Sequence, residues 1–426
     1  MIARLIRWSA SNLMLVLIAT VLATGAGLYA VTKVPLDAIP DLSDTQVIVF
    51  TEFSGQAPQV VEDQVTFPVS TAMLSVPRSK VVRGFSFFGV SFVYVIFEEG
   101  TDIYWARSRV LEYLSAATRN LPQGVVPTLG PDATGVGWVY QYAVMARKRT
   151  LAELRTTQDW QVRFAVAKAE GVAEVASVGG FVRQYSVVVD PRRLRAFDIP
   201  LAKVREAIRE SNMDVGGRVV ELAETEFMVR GRGYLEGIAD IESIVLKAEG
   251  GTPVLIKDVA HVELVPDERR GVTELDGEGE VVSGIAVQRY GQNALSVIGS
   301  VKDRLAEIKG SLPEGTEIVP VYDRSDLIHR AIATLKTTLI EESVIVALVC
   351  FVFLLHARSA LVAIVTLPLG ILVAYTCMWA LGLSSNIMSL GGIAIAIGAM
   401  IDAAIVMIEN AHKHLERLPT SRARRC

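Results

Sequence analysis

Apolar residues gather at the two ends of the chain, and residues 32–338 between them mix polar and apolar positions as a water-exposed domain does. The first apolar run is Leu13–Val31. The second, Leu339–Leu355, carries Glu341 and Glu342 near its start, and the third, Ala360–Leu383, is interrupted by Pro368. The fourth, Ile387–Ile408, has Asp402 as its one charged residue. At about 1.5 Å rise per residue, runs of this length match a hydrocarbon layer about 30 Å thick, so the pattern predicts four membrane-spanning helices. Arg4 and Arg7 precede the first run, His356 and Arg358 join the second to the third, and Lys413 and Arg417 follow the fourth. Basic short flanks stay on the cytoplasmic side. The large polar region therefore faces outward, which in a bacterium is the periplasm. The first run follows a basic flank, as a cleaved leader would. Its apolar segment is long for that role, and no small-x-small site leads into a polar start, so it reads as an uncleaved anchor.

Within the polar region the pattern repeats. Strand Thr45–Phe53, helix Ala57–Leu74, strands Lys80–Phe87 and Val90–Glu98 around Gly89, and helix Asp102–Asn120 form a first unit that ends before Leu121-Pro122. A second unit runs through strand Val139–Met145, helix Leu151–Glu170, strands Val172–Val178 and Gln184–Asp190, and helix Leu201–Ser211. Val281–Arg289, Ala294–Lys309 and Thr316–Tyr322 supply a third, looser set. Strand–helix–strand followed by strand–helix is the ferredoxin-like split βαβ order. Residues 216–271 look strand-rich without helical periodicity and read as an insertion. The predicted fold class is a membrane α-helical part joined to an α+β part.

Composition narrows the function. Hydrophobic residues make up 51% of the chain and its mean hydropathy is +0.39, while a net charge of −4 leaves no footprint for nucleic acid. Cys350, Cys377 and Cys426 make no disulfide framework. No phosphate loop, HExxH or CxxC occurs. Glu98, Glu99 and Asp102 cluster at a strand end and read as a solvated turn, and His261 and His329 stand alone. No nucleophile, base and orienter come together, so an enzyme is the weakest reading. A transporter without a nucleotide site draws energy from an ion gradient or from a partner.

Asp402 supplies the chemistry for a gradient. A carboxylate near the centre of a spanning helix costs about 2.5–3.5 kcal/mol by insertion scales, and such residues face a protein interior or a wet cavity. Gly391, Ala394, Gly398 and Asp402 fall on one stripe at about 100° per residue. Small residues on a stripe admit a second helix at close range. A carboxyl held there titrates according to desolvation and nearby cations, which is how a proton relay works.

These features together with specific segments resemble the heavy-metal branch of the resistance-nodulation-division (RND) superfamily, in particular its CusA-like silver/copper exporters. The segments are VPLDAIPDLSD at Val34–Asp44, GQAP at Gly55–Pro58, YWARSRVLEY at Tyr104–Tyr113, GPDATGVGW at Gly130–Trp138, EVASVGG at Glu174–Gly180, NIMSLGG at Asn386–Gly392 and GAMIDAAIVMIEN at Gly398–Asn410. The resemblance covers about residues 1–417. It implies a homotrimeric, proton-driven antiporter, multi-pass in the bacterial inner membrane, working with a periplasmic adaptor and an outer-membrane channel. It implies no cofactor and no nucleic-acid partner, with Cu(I) or Ag(I) as cargo; zinc, cobalt or nickel export is the runner-up. A membrane-anchored periplasmic interaction module without transport is the alternative of a different class. The implied layout is a cytoplasmic start and first span at 1–35 and a first porter subdomain at 36–137. A second porter subdomain follows at 138–180 and 272–330, with a docking insertion at 181–271. Spans two to four occupy 331–417, and a basic tail at 418–426 departs from the family pattern.

Asp402 matches the family's relay acid, and Met388, Met400 and Met407 match positions along a metal path through the membrane. Thioether sulfur is a soft ligand suited to Cu(I) and, by the same argument, Ag(I). Met400 and Met407 share a helix face about 140–160° from Asp402, so one helix would offer sulfur on one side and carboxylate on the other. Full-length relatives are about twice as long, and the cation partner of Asp402 is expected in a second repeat. The 426 residues are therefore expected not to confer metal tolerance by themselves.

Overall fold

The computed structural model describes residues 2–222, 224–249, 251–269, 271–354 and 357–416. His356, Arg417 and the tail at 418–426 lie outside them. The chain divides into two compact units: residues 1–145, 158–177 and 283–426 form one, and residues 146–157 with 178–282 form the other.

In the first unit, α1 (Leu13–Lys33) leads into β1 (Gln46–Glu52), whose alternating pattern buries Val47, Val49 and Thr51. A helical stretch over Pro58–Met73 follows. Then β2 (Ser79–Phe87) and β3 (Val90–Phe97) form a hairpin that turns at Gly89, where φ is +68°. Helix α2 (Ile103–Ala117) and β4 (Pro127–Leu129) complete a four-stranded sheet in the order β2-β3-β1-β4. The in-register apolar pair Val49–Val93 and neighbours Val47 and Val95 pack against Val69 and Met73 on one helix and Ala106, Val110 and Leu114 on the other.

A second sheet repeats the plan. Its strands are β5 (Trp138–Met145), β6 (Val172–Val178), β13 (Val282–Gln288) and β14 (Glu317–Asp323), in the order β14-β5-β13-β6. Numbering each set along the chain, both sheets have the order four-one-three-two, which is the split βαβ arrangement read from the sequence. Helix α3 (Ala294–Ile308) joins β13 to β14, and Asn293 caps it by accepting hydrogen bonds from the Leu295 and Ser296 amides. Both four-stranded sheets also have a π-helical turn at the same point after their first strand, Glu62–Thr66 and Gln158–Val162. Each turn sets a buried polar side chain onto its sheet. Thr66 bonds the hydroxyls of Ser91 and Ser86, and Gln158 donates to Tyr142 Oη and Ser177 Oγ.

One strand departs from the sequence reading. Residues 184–190, expected beside Val172–Val178, form β7 (Arg183–Val189), which pairs with β12 (Ala260–Pro266) instead. Gly179 and Gly180, at φ +77° and +66°, turn the chain away after β6 in a conformation that other residues adopt with strain. The helix expected at Leu201–Ser211 is present at Leu201–Glu210 but packs in this other unit. The unit further holds hairpins β8–β9 (Val215–Leu222, Thr225–Gly231) and β10–β11 (Val245–Glu249, Thr252–Leu255). It also contains the short helices Pro191–Ala196, Ile238–Glu242 and Ile256–Val259, too short for any helical periodicity to show. Leu194, Val204, Ile244, Ile256 and Val259 are buried in its core.

Three helices end the first unit: α4 (Arg324–Leu354), α5 (Ala357–Ala380) and α6 (Ile387–Glu416). Among the described residues, Leu13–Lys33 and Ile387–Ala411 are long and apolar enough to cross a membrane, and α5 has a shorter apolar segment, Val365–Ala380. Helix α1 packs closely on α5, since a Cβ at Gly27 would lie 2.4 Å from Leu372 Cβ. Val34, Leu367, Met378, Ile393 and Ile397 form the apolar centre shared by these helices.

Candidate functional site

Helix α6 begins at a reciprocal cap. The Ser389 amide donates to Asn386 Oδ1 at 3.0 Å, and the Asn386 amide donates to Ser389 Oγ at 2.8 Å. Asn386 is 7% exposed, so the cap is buried rather than surface decoration. From there Leu390, Ile393 and Ile397 turn inward. One turn further, Met400 lies over Gly370 of α5: a Cβ at Gly370 would fall 2.6 Å from both the sulfur and the terminal methyl. Glycine at 370 is what lets the thioether approach the α5 backbone.

The opposite side of α6 is open. Asp402 is exposed, and a Cβ at Gly391 or Gly398 on the same stripe would meet nothing within 4 Å. Among the described residues no cation pairs with Asp402. The small-residue stripe therefore faces away from α5, and no helix of the described residues closes on its glycines. The structure keeps sulfur and carboxylate on different sides of the helix, as the spacing predicted for Met400. Met407, on the Met400 face, is 60% exposed, because at that level Ile405 and Ile408 make the packed contacts. Met388 is 68% exposed. Along the helix axis Met388 and Met400 are about 18 Å apart, and Met400 and Met407 about 10 Å. The three sulfurs do not converge on one ion; each can only be a separate contact. Among the described residues no group of three or more His, Cys, Asp or Glu side chains is gathered as a metal site.

The other singled-out groups have local roles or stand at the surface. Asp102 caps α2 by accepting from the Trp105 amide at 2.7 Å, His261 lies in β12 opposite Val188, and His329 is exposed on α4.

Sequence reasoning missed the ties at the start of α6. Residues 35–38, just after α1, run beside residues 385–387. Ser385 N–H donates to Pro35 O at 2.8 Å, Asp37 N–H to Ser385 O at 2.9 Å, and Ile387 N–H to Ala38 O at 3.2 Å. The signal available was an acid between Pro35 and Pro40 directly after an apolar run, inside a segment already noted for its resemblance. Nearby, Lys302 of α3 pairs with Asp323 at the end of β14. Burial alone would raise the Asp323 carboxyl, but hydrogen bonds from Lys302 and Ser325 outweigh it and hold the group below its ordinary value. A lowered folded value means this stabilisation is present above the ordinary aspartate pKa and is lost as pH falls through the lowered one. Asp323→Asn should therefore lower the melting temperature above the ordinary aspartate pKa and flatten the acid limb of the melting-temperature profile below it. An unchanged acid limb would show that the pair does not matter.

Comparison with known proteins gives a consistent outcome. The sequence profile described as the AcrB/AcrD/AcrF family matches residues 5–425, extending into the 418–426 tail. The chain is 57% identical over 419 residues to the cation efflux system protein CusA of Escherichia coli K12, covering 98% of this chain and 40% of that protein. It is 55% identical to the putative cation efflux system protein SilA of Salmonella typhimurium, again over 98% of this chain and 40% of the relative. The cobalt-zinc-cadmium resistance protein CzcA of Cupriavidus metallidurans is 36% identical, with 97% of this chain and 40% of the relative covered. A crystal structure of a heavy metal efflux pump superposes with a TM-score of 0.84 at 32% identity, covering 97% of this chain and 42% of that one. The chain thus spans about 40% of the length of the curated relatives it matches.

Proposed function

The chain belongs to the AcrB/AcrD/AcrF family, in its heavy-metal, CusA-like branch, and from that premise we propose that it forms the N-terminal part of a proton-driven exporter of Cu(I) and Ag(I) in a bacterial inner membrane. The observation that carries the reading is Asp402, set on a long apolar helix with an open stripe of small residues beside it. A carboxylate that costs about 2.5–3.5 kcal/mol to hold in lipid is retained where it does work, and proton transfer is the work such residues do. The open face of α6 is where a further helix carrying a cation would pack. Helices α1, α4, α5 and α6 would be the four spans, with the two split βαβ sheets as porter subdomains on the periplasmic side and residues 181–271 as the docking insertion.

Copper or silver is favoured over a harder cation by the methionines of α6 and by 57% identity to CusA against 36% to CzcA. A homotrimer with an adaptor and an outer-membrane channel fits the exposed hairpin β8–β9. Val215, Phe227 and Met228 lie at its surface, and Met228 is 88% exposed. A two-stranded hairpin is marginal alone and gains stability when another surface covers it.

The experiment joins residues 1–416 to the remaining part of Escherichia coli CusA in a host stripped of copper and silver exporters. The chimera should restore tolerance to both metals. Replacing Met388, Met400 and Met407 together by Leu should remove tolerance to silver and copper while leaving the protein in the membrane, since Met-to-Leu swaps in packed sites cost less than about 1.5 kcal/mol. Full tolerance in the triple variant would assign the cargo's route elsewhere. Tolerance to zinc or cobalt instead of copper would favour the runner-up cargo.

A further inference from the structure

Resting on the relay reading above, we infer that the buried Asp37–Arg324 pair is the joint through which movement of the Asp402 helix reaches the second four-stranded sheet. Arg324 is the first residue of α4 and its side chain is 4% exposed; that of Asp37 is 15% exposed. Arg324 Nη1 donates to both carboxylate oxygens of Asp37, at 3.3 and 3.4 Å, and Nη2 donates to the Trp138 carbonyl of β5 at 2.8 Å. Gln288, the last residue of β13, donates to Asp37 Oδ2 at 3.2 Å. The Ala294 amide at the start of α3 donates to Leu36 O at 3.3 Å. On its other edge the same four-residue segment carries the three backbone bonds to residues 385–387 at the head of α6. Residues 35–38 therefore hold the head of the relay helix on one side and the ends of β5, β13 and α3 on the other, with Asp37 and Arg324 as the pin.

Stability alone is a weak explanation of this arrangement. Buried ion pairs are often replaced by apolar groups at no loss of stability. This pair also leaves Arg324 Nε and Gln288 Oε1 buried without hydrogen-bond partners. A rigid, directional contact between two bodies is what a fork-shaped guanidinium offers over packing alone. Asp37 and Arg324 are positioning residues in this role; neither touches the cargo.

Backbone amide exchange in the full chain, reconstituted in lipid nanodiscs, tests the joint at two reporters. Ile387 N–H reads the relay-helix side and Ala294 N–H reads the sheet side, and Arg324 bonds to neither. Asp402→Asn should shift exchange at both amides. In an Arg324→Gln background the shift at Ile387 should remain and the shift at Ala294 should be lost. The double variant Asp37→Asn with Arg324→Gln leaves no stranded buried charge and should behave the same way, which covers the case in which Arg324→Gln alone folds poorly. A shift at Ala294 that persists in both backgrounds overturns the joint while leaving the relay reading intact. No shift at Ile387 in the otherwise unaltered protein overturns the relay reading and the joint with it.

Discussion

Asp402→Asn is expected to reduce metal tolerance of the chimeric pump to that of a host without it, with the protein still present in the membrane at full level. The two halves of that expectation have the same physical origin. An asparagine amide is close in shape to the carboxyl and keeps hydrogen-bonding capacity, but it does not take up or release a proton. A neutral amide costs less to place in lipid than a carboxylate, so the variant should insert at least as readily as its parent. Loss of tolerance therefore cannot be put down to failed insertion. Packing should change little, because Asp402 is exposed on the open face of α6 and the apolar centre uses Ile393, Ile397 and Met400. Membrane fractionation and growth in silver, run on the same cultures, check both halves. Retained tolerance at full expression would remove the carboxylate from the coupling mechanism.

Gly284→Val should produce the largest loss of stability in the second four-stranded sheet. Gly284 lies in β13, and a Cβ there would fall 2.2 Å from Cζ and 2.3 Å from Oη of Tyr142. The Tyr142 ring is fully buried and its hydroxyl accepts from Gln158 Nε2 at 3.2 Å. Burial pushes the Tyr142 phenol up, so it stays neutral and cannot escape the clash by ionising toward water. Overpacking of this kind costs about 1–3 kcal/mol, occasionally more, and displacing the ring would also strand the Gln158 amide. Gly284→Ala should be milder than Gly284→Val, because it adds one carbon rather than three. Pairing Gly284→Val with Tyr142→Leu should recover part of the loss. Thermal unfolding of the four proteins in one detergent gives the ranking, and equal melting temperatures for parent and Gly284→Val would show that this ring is not fixed.

The repeat was legible because strands and helices recur in the same order, although apolar and polar residues alternate only partly along the strands. The Thr45–Phe53 expectation became Gln46–Glu52, and Thr316–Tyr322 became Glu317–Asp323. What the pattern could not carry was partner choice. Residues 184–190 read equally well as the neighbour of β6 or as part of an insertion, and the glycine turn at 179–180 together with a partner strand some seventy positions later decided it. Helical periodicity also hid the two π turns, since one extra residue in a short helix shifts the apolar face only slightly. At the candidate site, the opposition of Met400 and Asp402 followed from helix geometry alone. The difference in cover between Met400 and Met407 did not, because it depends on Gly370 of another helix. The Asp37–Arg324 contact joins residues 287 positions apart and no periodicity reports it.

Infrared spectroscopy of the protein in lipid, titrated with acid and base, tests the central claim most directly. The difference between the spectra of the protein and of Asp402→Asn should show a protonated-carboxyl band that vanishes reversibly as pH rises. Identical titrations of the two proteins would contradict the claim that Asp402 carries the proton.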